Sequence, residues 1–309
     1  MFRQPANILA PIPANPSYNV SMLATLTEIN LDDLVSSFGW QDQPLPAALL
    51  RWVFRVPAEK FAKMMLAFDT LTGQTSLAEG ARETLKGFAQ GLEIFGQEHI
   101  PNSGPVLFLS NHPGMVDTLA LFEAINRPDL KILALDRPFL LSLPNTARHL
   151  FFLRDDPGER LRAVRQAANH LRGGGALLTF PAGHIEPDPN VYPGALKSLD
   201  DWNDSAGIFI RFAPETQIVP IVVRGVLWER AVKFPLTRIK ETRDERERLG
   251  AALQLLAHIM FNARPLRIQV QFARPIPLAE IGSKEMDAVH GKIIGRMRAL
   301  LQAPSGSVI

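Results

Sequence analysis

A histidine and an aspartate five residues apart, His112 and Asp117, could together act as a general base. They follow the apolar run 105–110, which predicts a strand, and Pro113 between them suits the first position of a helix. His112 is therefore expected just beyond a strand end, where α/β sheets place their ligands. Asp117 could accept a hydrogen bond from one imidazole nitrogen and leave the other nitrogen free to take a proton. Because the aspartate favours the imidazolium and the helix dipole opposes it, we predict a base poised near neutral pH.

The elements that must position this pair alternate between strands and helices. Six short apolar runs have the residue types of strands: 105–110, 131–135, 149–153, 176–180, 217–223 and 267–272. Several of them are unbroken, as expected for strands that are covered on both faces. We therefore predict an α/β fold, namely an αβ sandwich with a largely parallel mixed sheet.

Three regions are predicted along the chain. Residues 1–20 are expected to form an extended tail, because four prolines deny it regular pairing. Residues 21–92 are expected to form an N-terminal helical segment, in which Pro57 separates two helices. Residues 93–309 then form the α/β domain that contains His112.

Composition excludes several kinds of chemistry. The chain has no cysteine, which rules out disulfides, thiolate metal sites and cysteine nucleophiles. We see no metal-ligand pattern and predict neither a metal nor a cofactor.

The net charge is only +2, and the charged run 238–248 alternates in sign, which is typical of a solvated helix and not of a nucleic-acid site. No run approaches the roughly 18 apolar residues of a membrane-spanning helix.

Four short motifs follow one another in a fixed order. They are N-H-P-G-M-V-D at 111–117, F-F-L-R at 151–154, F-P-A-G-H at 180–184 and V-P-I at 219–221. Together they resemble the motifs of the phospholipid and glycerol acyltransferase family, which includes the lysophosphatidic acid acyltransferases. In that family the first motif is N-H-x4-D, the second is an apolar run that ends in arginine, the third is F-P-E-G-x-R and the fourth is an apolar V-P-I segment. The resemblance covers about residues 93–225.

The resemblance implies a role for each motif. His112 would be the general base that deprotonates an acceptor hydroxyl as it attacks a thioester, and Asp117 would orient its imidazole. Arg154 would hold the acceptor's phosphate, for which a guanidinium fork is well suited. The alternative for Arg154 is a surface charge paired with Asp155 or Asp156. The remaining substrate-binding positions implied by the motifs are Asn111, Phe180, Pro181, Gly183, His184 and Glu186.

The third motif departs from the family pattern. Ala182 stands where the family usually has glutamate, while His184 and Ile185 stand near its usual threonine and arginine. Gly183 and the preceding Phe-Pro pair keep the pattern, so we expect the turn itself to be kept. Glu186, four residues after Ala182, could restore a carboxylate. The departure leaves the identity of the acceptor open.

The expected function is that of an acyltransferase. The acyl group would pass from acyl-CoA or acyl-carrier protein to the hydroxyl of a lysophospholipid such as a 1-acylglycerol-3-phosphate. One alternative keeps the same histidine and aspartate but uses a non-phosphate lipid acceptor, or water as in a thioester hydrolase. A second alternative is a non-catalytic protein that binds lipid or acyl-carrier protein.

We expect a cytoplasmic protein that lies peripherally on the inner face of the membrane, because its acceptor lies in a bilayer and the chain has no spanning run. The helices at about 46–70 would supply the contact. The residues proposed for it are Trp52, Phe61, Met64, Met65 and Phe68, flanked by Lys60 and Lys63. The alternative is that this apolar face covers the protein's own core.

Overall fold

The computed structural model describes residues 16–282, 285–304 and 306, and within them seven strands form one sheet. The strands are β1 (Ala89–Phe95), β2 (Val106–Ser110), β3 (Leu130–Leu135), β4 (Leu150–Leu153), β5 (Ala176–Thr179), β6 (Gln217–Arg224) and β7 (Leu266–Phe272). Their order across the sheet is β1-β7-β6-β2-β5-β3-β4. Neighbouring strands are parallel except for β6 and β7, which are antiparallel. The predicted fold class is therefore confirmed.

Helices cover both faces of this sheet. Those before β4 are α1 (Pro16–Phe38), α2 (Pro44–Gln74), α3 (Leu77–Phe88), α4 (Met115–Ile125), α5 (Pro138–Leu141) and α6 (Pro144–Ala147), with the 3-10 helix η1 (Gln97–His99). Those after β4 are α7 (Pro157–Arg172), α8 (Ser205–Phe212), α9 (Glu229–Val232), α10 (Arg243–Phe261), α11 (Leu278–Ile281) and α12 (Met286–Gln302), with η2 (Lys197–Asp201) and η3 (Pro235–Ile239).

The central strand β2 shows why its sequence is unbroken. Val106 and Phe108 pack into one core with α2, α3 and α4, whereas Leu107 and Leu109 pack into a second core with α7, α8 and α12. All four side chains are completely buried. Full burial of each such side chain contributes roughly 1.5–3 kcal/mol, so the strand that precedes His112 is among the best-anchored parts of the domain.

The N-terminal segment differs from our prediction in three places. Helix α1 begins at Pro16, so residues 16–20 are helical although we expected a tail there; proline is well tolerated at the first position of a helix. Residues 1–15 of the predicted tail lie outside the described residues. Helix α2 runs through Pro57 without ending, because the packing of its buried face outweighs the loss of one backbone donor. Finally, β1 begins at Ala89, so the helical segment ends at Phe88 and not at residue 92.

In the described part of the chain, no helix is both long and apolar enough to cross a bilayer. Among the same residues, no group of three or more histidine, aspartate or glutamate side chains is arranged to hold a metal ion.

Candidate active site

His112 and Asp117 meet at the carboxyl end of β2. The strand ends at Ser110, and α4 begins at Met115 with Gly114 as its N-cap residue, so Pro113 lies before the helix and not at its first position as we predicted. Gly114 has φ of 153°, a conformation that favours glycine and lets the chain turn sharply into the helix. Because Asp117 stands one turn into α4, its carboxylate comes back over this turn towards His112.

The contact between the two side chains is short, and its Asp117 side is buried. Oδ2 of Asp117 lies 2.8 Å from Nδ1 of His112 and also accepts the backbone N–H of Gly114 at 3.0 Å. Its Oδ1 accepts the hydroxyl of Thr118 at 2.9 Å, and the Asp117 side chain is fully buried. A carboxylate held in this way fixes the imidazole with its proton on Nδ1. Within the described residues Nε2 has no hydrogen-bond partner, so it can take a proton from a substrate.

Two opposing effects set the basicity of His112. Burial lowers its pKa, but the charge and hydrogen bond of Asp117, together with the charge of Glu186, outweigh burial and leave the pKa above its ordinary value. The side chain remains 24% exposed, and the ring of Phe180 stacks on it at a centroid distance of 4.4 Å. One face of the imidazole is therefore covered by an aromatic ring, and a small part of the side chain is accessible to solvent.

Asn111 is engaged with the sheet. Its side-chain amide donates to the carbonyl of Val223 at 3.0 Å, and its side-chain carbonyl accepts the Val223 N–H at 2.8 Å. The side chain thus extends the parallel pairing of β2 with β6 by one step beyond the strand end, and the residue is buried. Both polar groups of the Asn111 side chain are thus bonded to the backbone of Val223, and the substrate-binding role of this residue stays a prediction.

The third motif forms a turn directly after β5, the strand next to β2. The N–H of Gly183 donates to the carbonyl of Phe180 at 3.1 Å, and Gly183 has φ of 70°, which favours glycine. The carbonyl of Pro181 accepts the N–H of Asn203 at 3.2 Å, which fastens the turn to the end of the following loop. His184 projects from this turn, about half exposed, with Nε2 3.5 Å from Oδ2 of Asp201.

Glu186 lies beneath the histidine. Its Oε2 accepts the backbone N–H of His112 at 3.0 Å, while its own N–H donates to the His112 carbonyl at 2.8 Å. Its Oε1 accepts the hydroxyl of Ser198 at 3.0 Å and the indole N–H of Trp202 at 2.9 Å. Burial raises the pKa of Glu186 to about 7, although these hydrogen bonds and the charge of His112 work against the shift.

Arg154 stands at the same edge of the sheet but further away. It follows β4, which is three strands from β2, or about 14 Å at the usual spacing between strands. Its guanidinium is half exposed and pairs with Asp136 at 3.1 Å and Glu159 at 3.7 Å. We had considered Asp155 and Asp156 as its partners. Asp155 instead faces Arg160, and Asp156 caps α7.

Asp188 is a buried residue that our sequence analysis did not single out. Its carboxylate accepts the backbone N–H groups of Gly225, Val226 and Leu227 at 2.8–3.0 Å, and so holds the loop that leaves β6 beside the active site. Gly114 faces the side chains of Val226 and Leu227. The sequence signal that could have indicated Asp188 is the segment Glu-Pro-Asp-Pro at 186–189, in which carboxylates alternate with prolines.

These features define an α/β domain in which the contact between His112 and Asp117 lies at the carboxyl edge of a mostly parallel sheet. Residues 91–224 match the family model described as Acyltransferase, and this match includes His112, Asp117 and Glu186. This match supports the acyltransferase family that the four motifs predicted, over nearly the same part of the chain.

The chain was also compared with solved structures and with curated proteins. Among solved structures, the chain is similar to the crystal structure of the 1-acyl-sn-glycerophosphate (LPA) acyltransferase PlsC from Thermotoga maritima. The two are 12% identical with a TM-score of 0.47, and the match covers 95% of this chain and 98% of that one. A search of curated proteins found no match.

Proposed function

We propose that the protein moves a fatty acyl group from acyl-CoA or acyl-carrier protein to the hydroxyl of a lysophospholipid, with His112 as general base. The observation that carries this proposal is the contact of 2.8 Å between His112 Nδ1 and Asp117, which leaves Nε2 available to a substrate. The family match supports acyl transfer. The identities of the acceptor and of the donor are proposed here.

In the proposed reaction, Nε2 of His112 takes the proton of the acceptor hydroxyl while the hydroxyl oxygen attacks the thioester carbonyl. The tetrahedral intermediate then collapses, the carbon–sulfur bond breaks, and the imidazolium returns the proton to the departing thiolate. Asp117 stabilises the imidazolium between these two steps. The products are the acylated lipid and a free thiol, and the chain forms no covalent intermediate.

The acceptor's phosphate is proposed to bind Arg154. A guanidinium at the carboxyl edge of the sheet can reach a ligand that also reaches His112. One observation favours the alternative of a non-phosphate lipid acceptor: Asp136 and Glu159 already neutralise Arg154. A phosphate would have to compete with these two carboxylates for the same N–H groups.

Only part of the predicted membrane contact on α2 is exposed. Phe61, Met65 and Phe68 are each no more than 5% exposed and pack in the core, so for them the alternative that the face covers the protein itself is correct. Met64 packs against the same core. Trp52, by contrast, is 78% exposed.

We propose that the first half of α2 contacts the bilayer. Its exposed apolar residues lie on one helical face: Leu45, Leu49, Trp52, Val53 and Val56. A contiguous apolar face of this kind on a helix is typical of an interfacial contact. The exposed Lys60 continues the same face towards the middle of the helix and is suited to anionic headgroups.

The packing of α2 supports a position of this face near the carboxyl edge of the sheet, where His112 lies. Phe61 stacks on Phe139 of α5, just after the carboxyl end of β3, with ring centroids 6.0 Å apart. Two turns later Asp69 contacts Asn145 and Thr146, where the chain returns towards the start of β4. The part of α2 before Phe61 therefore projects beyond the edge that carries His112.

A second apolar segment lies at the same edge. The chain that leaves β6 forms α9 and η3, and exposes Phe234, Leu236 and Ile239. The side chain of Lys240 donates to the carbonyl of Phe38 at the end of α1, which ties this segment to the N-terminal helices. We propose that the two segments together seat the protein peripherally on the inner face of the membrane, with the active site facing the lipid.

The function is tested by incubating the protein with acyl-CoA and a panel of lysolipids, and by measuring free thiol and the lipid products by mass spectrometry. Thiol release that depends on a lysophospholipid, with the acylated lipid as product, supports the proposal. Release that depends on a lipid without phosphate supports the first alternative, and release without an acceptor indicates hydrolysis. No release with either acyl-CoA or acyl-carrier protein as donor would contradict an enzymatic role and favour a binding protein.

A further inference from the structure

Both backbone polar groups of His112 are bound to a single residue from another part of the chain. Glu186, 74 residues further on, accepts the His112 N–H on its carboxylate at 3.0 Å and donates its own N–H to the His112 carbonyl at 2.8 Å. The two hydrogen bonds close a ring between the end of β2 and the loop after β5. Such a ring fixes both the position and the rotation of the peptide groups that carry the imidazole.

The carboxylate of Glu186 is itself held by two further donors. Its second oxygen accepts the Ser198 hydroxyl at 3.0 Å and the Trp202 indole N–H at 2.9 Å. The residue is 1% exposed. A buried carboxylate costs considerable free energy unless hydrogen bonds compensate it, and here three donors offset part of that cost.

This environment is incompatible with the substrate-binding role that the third motif implied for Glu186. Both carboxylate oxygens point at the protein's own donors, and solvent does not reach the residue. At the position where the family motif has glutamate, this chain has Ala182, which packs against the apolar core on the α7, α8 and α12 side of the sheet. The carboxylate in this loop therefore acts on His112 and not on the acceptor.

We infer that Glu186 is a positioning residue for the general base: it holds the backbone of His112 so that the imidazole stays on Asp117, and its negative charge supports the imidazolium that forms during transfer. Among the described residues, the charged groups that act on His112 are Asp117 from α4 and Glu186 from the loop after β5. Asp117 acts on the ring directly, and Glu186 acts through the backbone and the electric field. The inference rests on the proposed role of His112 as base.

The experiment compares the pH–rate profile of Glu186→Gln with that of the unchanged protein, using acyl-CoA and the best lysolipid. Glutamine keeps the shape but replaces one accepting oxygen with a donor that faces the His112 N–H or the Trp202 indole. We expect kcat to fall about tenfold to a hundredfold, as for a small misplacement of a reacting group, with both KM values within about twofold. The acid limb of kcat/KM should move to lower pH, because the charge that raises the pKa of His112 is lost.

Asp69→Asn is the matched control. Asp69 is also a buried carboxylate that accepts two backbone N–H groups and two side-chain donors, but these belong to Asn145 and Thr146, away from His112. The Asp69→Asn variant should have a lower thermal stability and an unchanged acid limb.

Ser198→Ala is a second variant, which removes one donor to Glu186 and little volume. It should move the acid limb in the same direction as Glu186→Gln but by less. If Glu186→Gln does not fold, the result for Ser198→Ala decides whether Glu186 has the positioning role.

The outcomes separate the two proposals. If His112→Ala is inactive while folded Glu186→Gln and Ser198→Ala keep the normal kcat and acid limb, the positioning role is wrong and the proposed function stands. If Asp69→Asn shifts the acid limb as much as Glu186→Gln, the effect is one of general stability, and the inference also fails. If His112→Ala keeps its activity, the proposed function fails first.

Discussion

Oδ2 of Asp117 lies 2.8 Å from Nδ1 of His112 and at the same time accepts the N–H of Gly114, the N-cap residue of α4. One carboxylate oxygen thus fixes both the imidazole and the turn that carries it. Because the aspartate side chain is fully buried and has Thr118 on its other oxygen, it has little freedom to leave this position. The relationship explains how a turn of a few residues between a strand and a helix can hold an imidazole in one orientation.

Asp117→Asn should lower kcat by about 10²–10⁴ because the amide can donate to Nδ1 and so favour the wrong tautomer of His112. The change is nearly isosteric, so we expect thermal stability to fall far less than activity. Steady-state kinetics and thermal unfolding of the purified variant measure the two quantities. A variant with normal kcat would show that His112 does not depend on Asp117 for its orientation.

The stability of the protein should depend on pH through Glu186. Burial raises the pKa of this carboxyl from 4.5 to about 7, so between these values the folded protein binds a proton that the unfolded chain has released. The free energy of unfolding should therefore fall as the pH rises from 4.5 to 7. One pH unit corresponds to about 1.4 kcal/mol, so the titration of Glu186 should lower the free energy of unfolding by about 3 kcal/mol between pH 4.5 and 7.

Glu186→Gln removes this titration and serves as the reference. Denaturant unfolding of both proteins across pH 4.5–7.5 gives the difference in the free energy of unfolding at each pH. As the pH rises, we expect the variant to become more stable relative to the unchanged protein. A difference that stays constant, or changes in favour of the unchanged protein, would mean that Glu186 does not titrate in this range.

Arg154→Ala should raise the KM of a phosphate-bearing acceptor at least tenfold and leave the KM of the donor nearly unchanged. Arg154→Lys should restore only part of the affinity, because an ammonium cannot form the same bidentate contact with a phosphate. The initial rates of both variants with each substrate varied in turn provide the test. Equal effects on donor and acceptor would instead show that Arg154 serves mainly to join Asp136 and Glu159.

The double variant Leu49→Ser/Trp52→Ser should weaken binding to vesicles of phosphatidylcholine and phosphatidylglycerol while leaving thermal stability unchanged. Both side chains are largely exposed and have little packing to lose. Phe61→Ser is the matched control, since it removes a buried ring from the same helix and should cost about 3–5 kcal/mol of stability. If the double variant binds vesicles normally, α2 is not the membrane contact.

Local patterns predicted most of the sheet and the contact between His112 and Asp117. Six of the seven strands in the described residues were expected, because strands buried on both faces have unbroken apolar sequences. The exception is β1, an edge strand that is mostly open to solvent and contains Gly91 and Glu93, so its sequence lacks that signature. The contact of His112 with Asp117 was predictable since both belong to one strand-to-helix turn.

The remaining features depend on contacts between distant parts of the chain. An apolar helical face shows that something is covered, but not what covers it, and so Phe61 and Phe68 were assigned to a membrane although they pack in the core. In the same way, Glu186 was assigned to a substrate from its motif. Its actual partners, Ser198 and Trp202, and the His112 backbone are brought to it by the fold of a long loop.

The most direct test of the account is the rate of lysolipid-dependent thiol release from acyl-CoA by His112→Ala, compared with the unchanged protein under the same conditions. The substitution removes the proton acceptor without adding bulk, and circular dichroism and thermal unfolding verify that the variant is folded. We predict that the rate falls by about 10²–10⁴, the usual contribution of a general base. A folded His112→Ala variant that releases thiol and forms the acylated lipid at a near-normal rate would contradict the account.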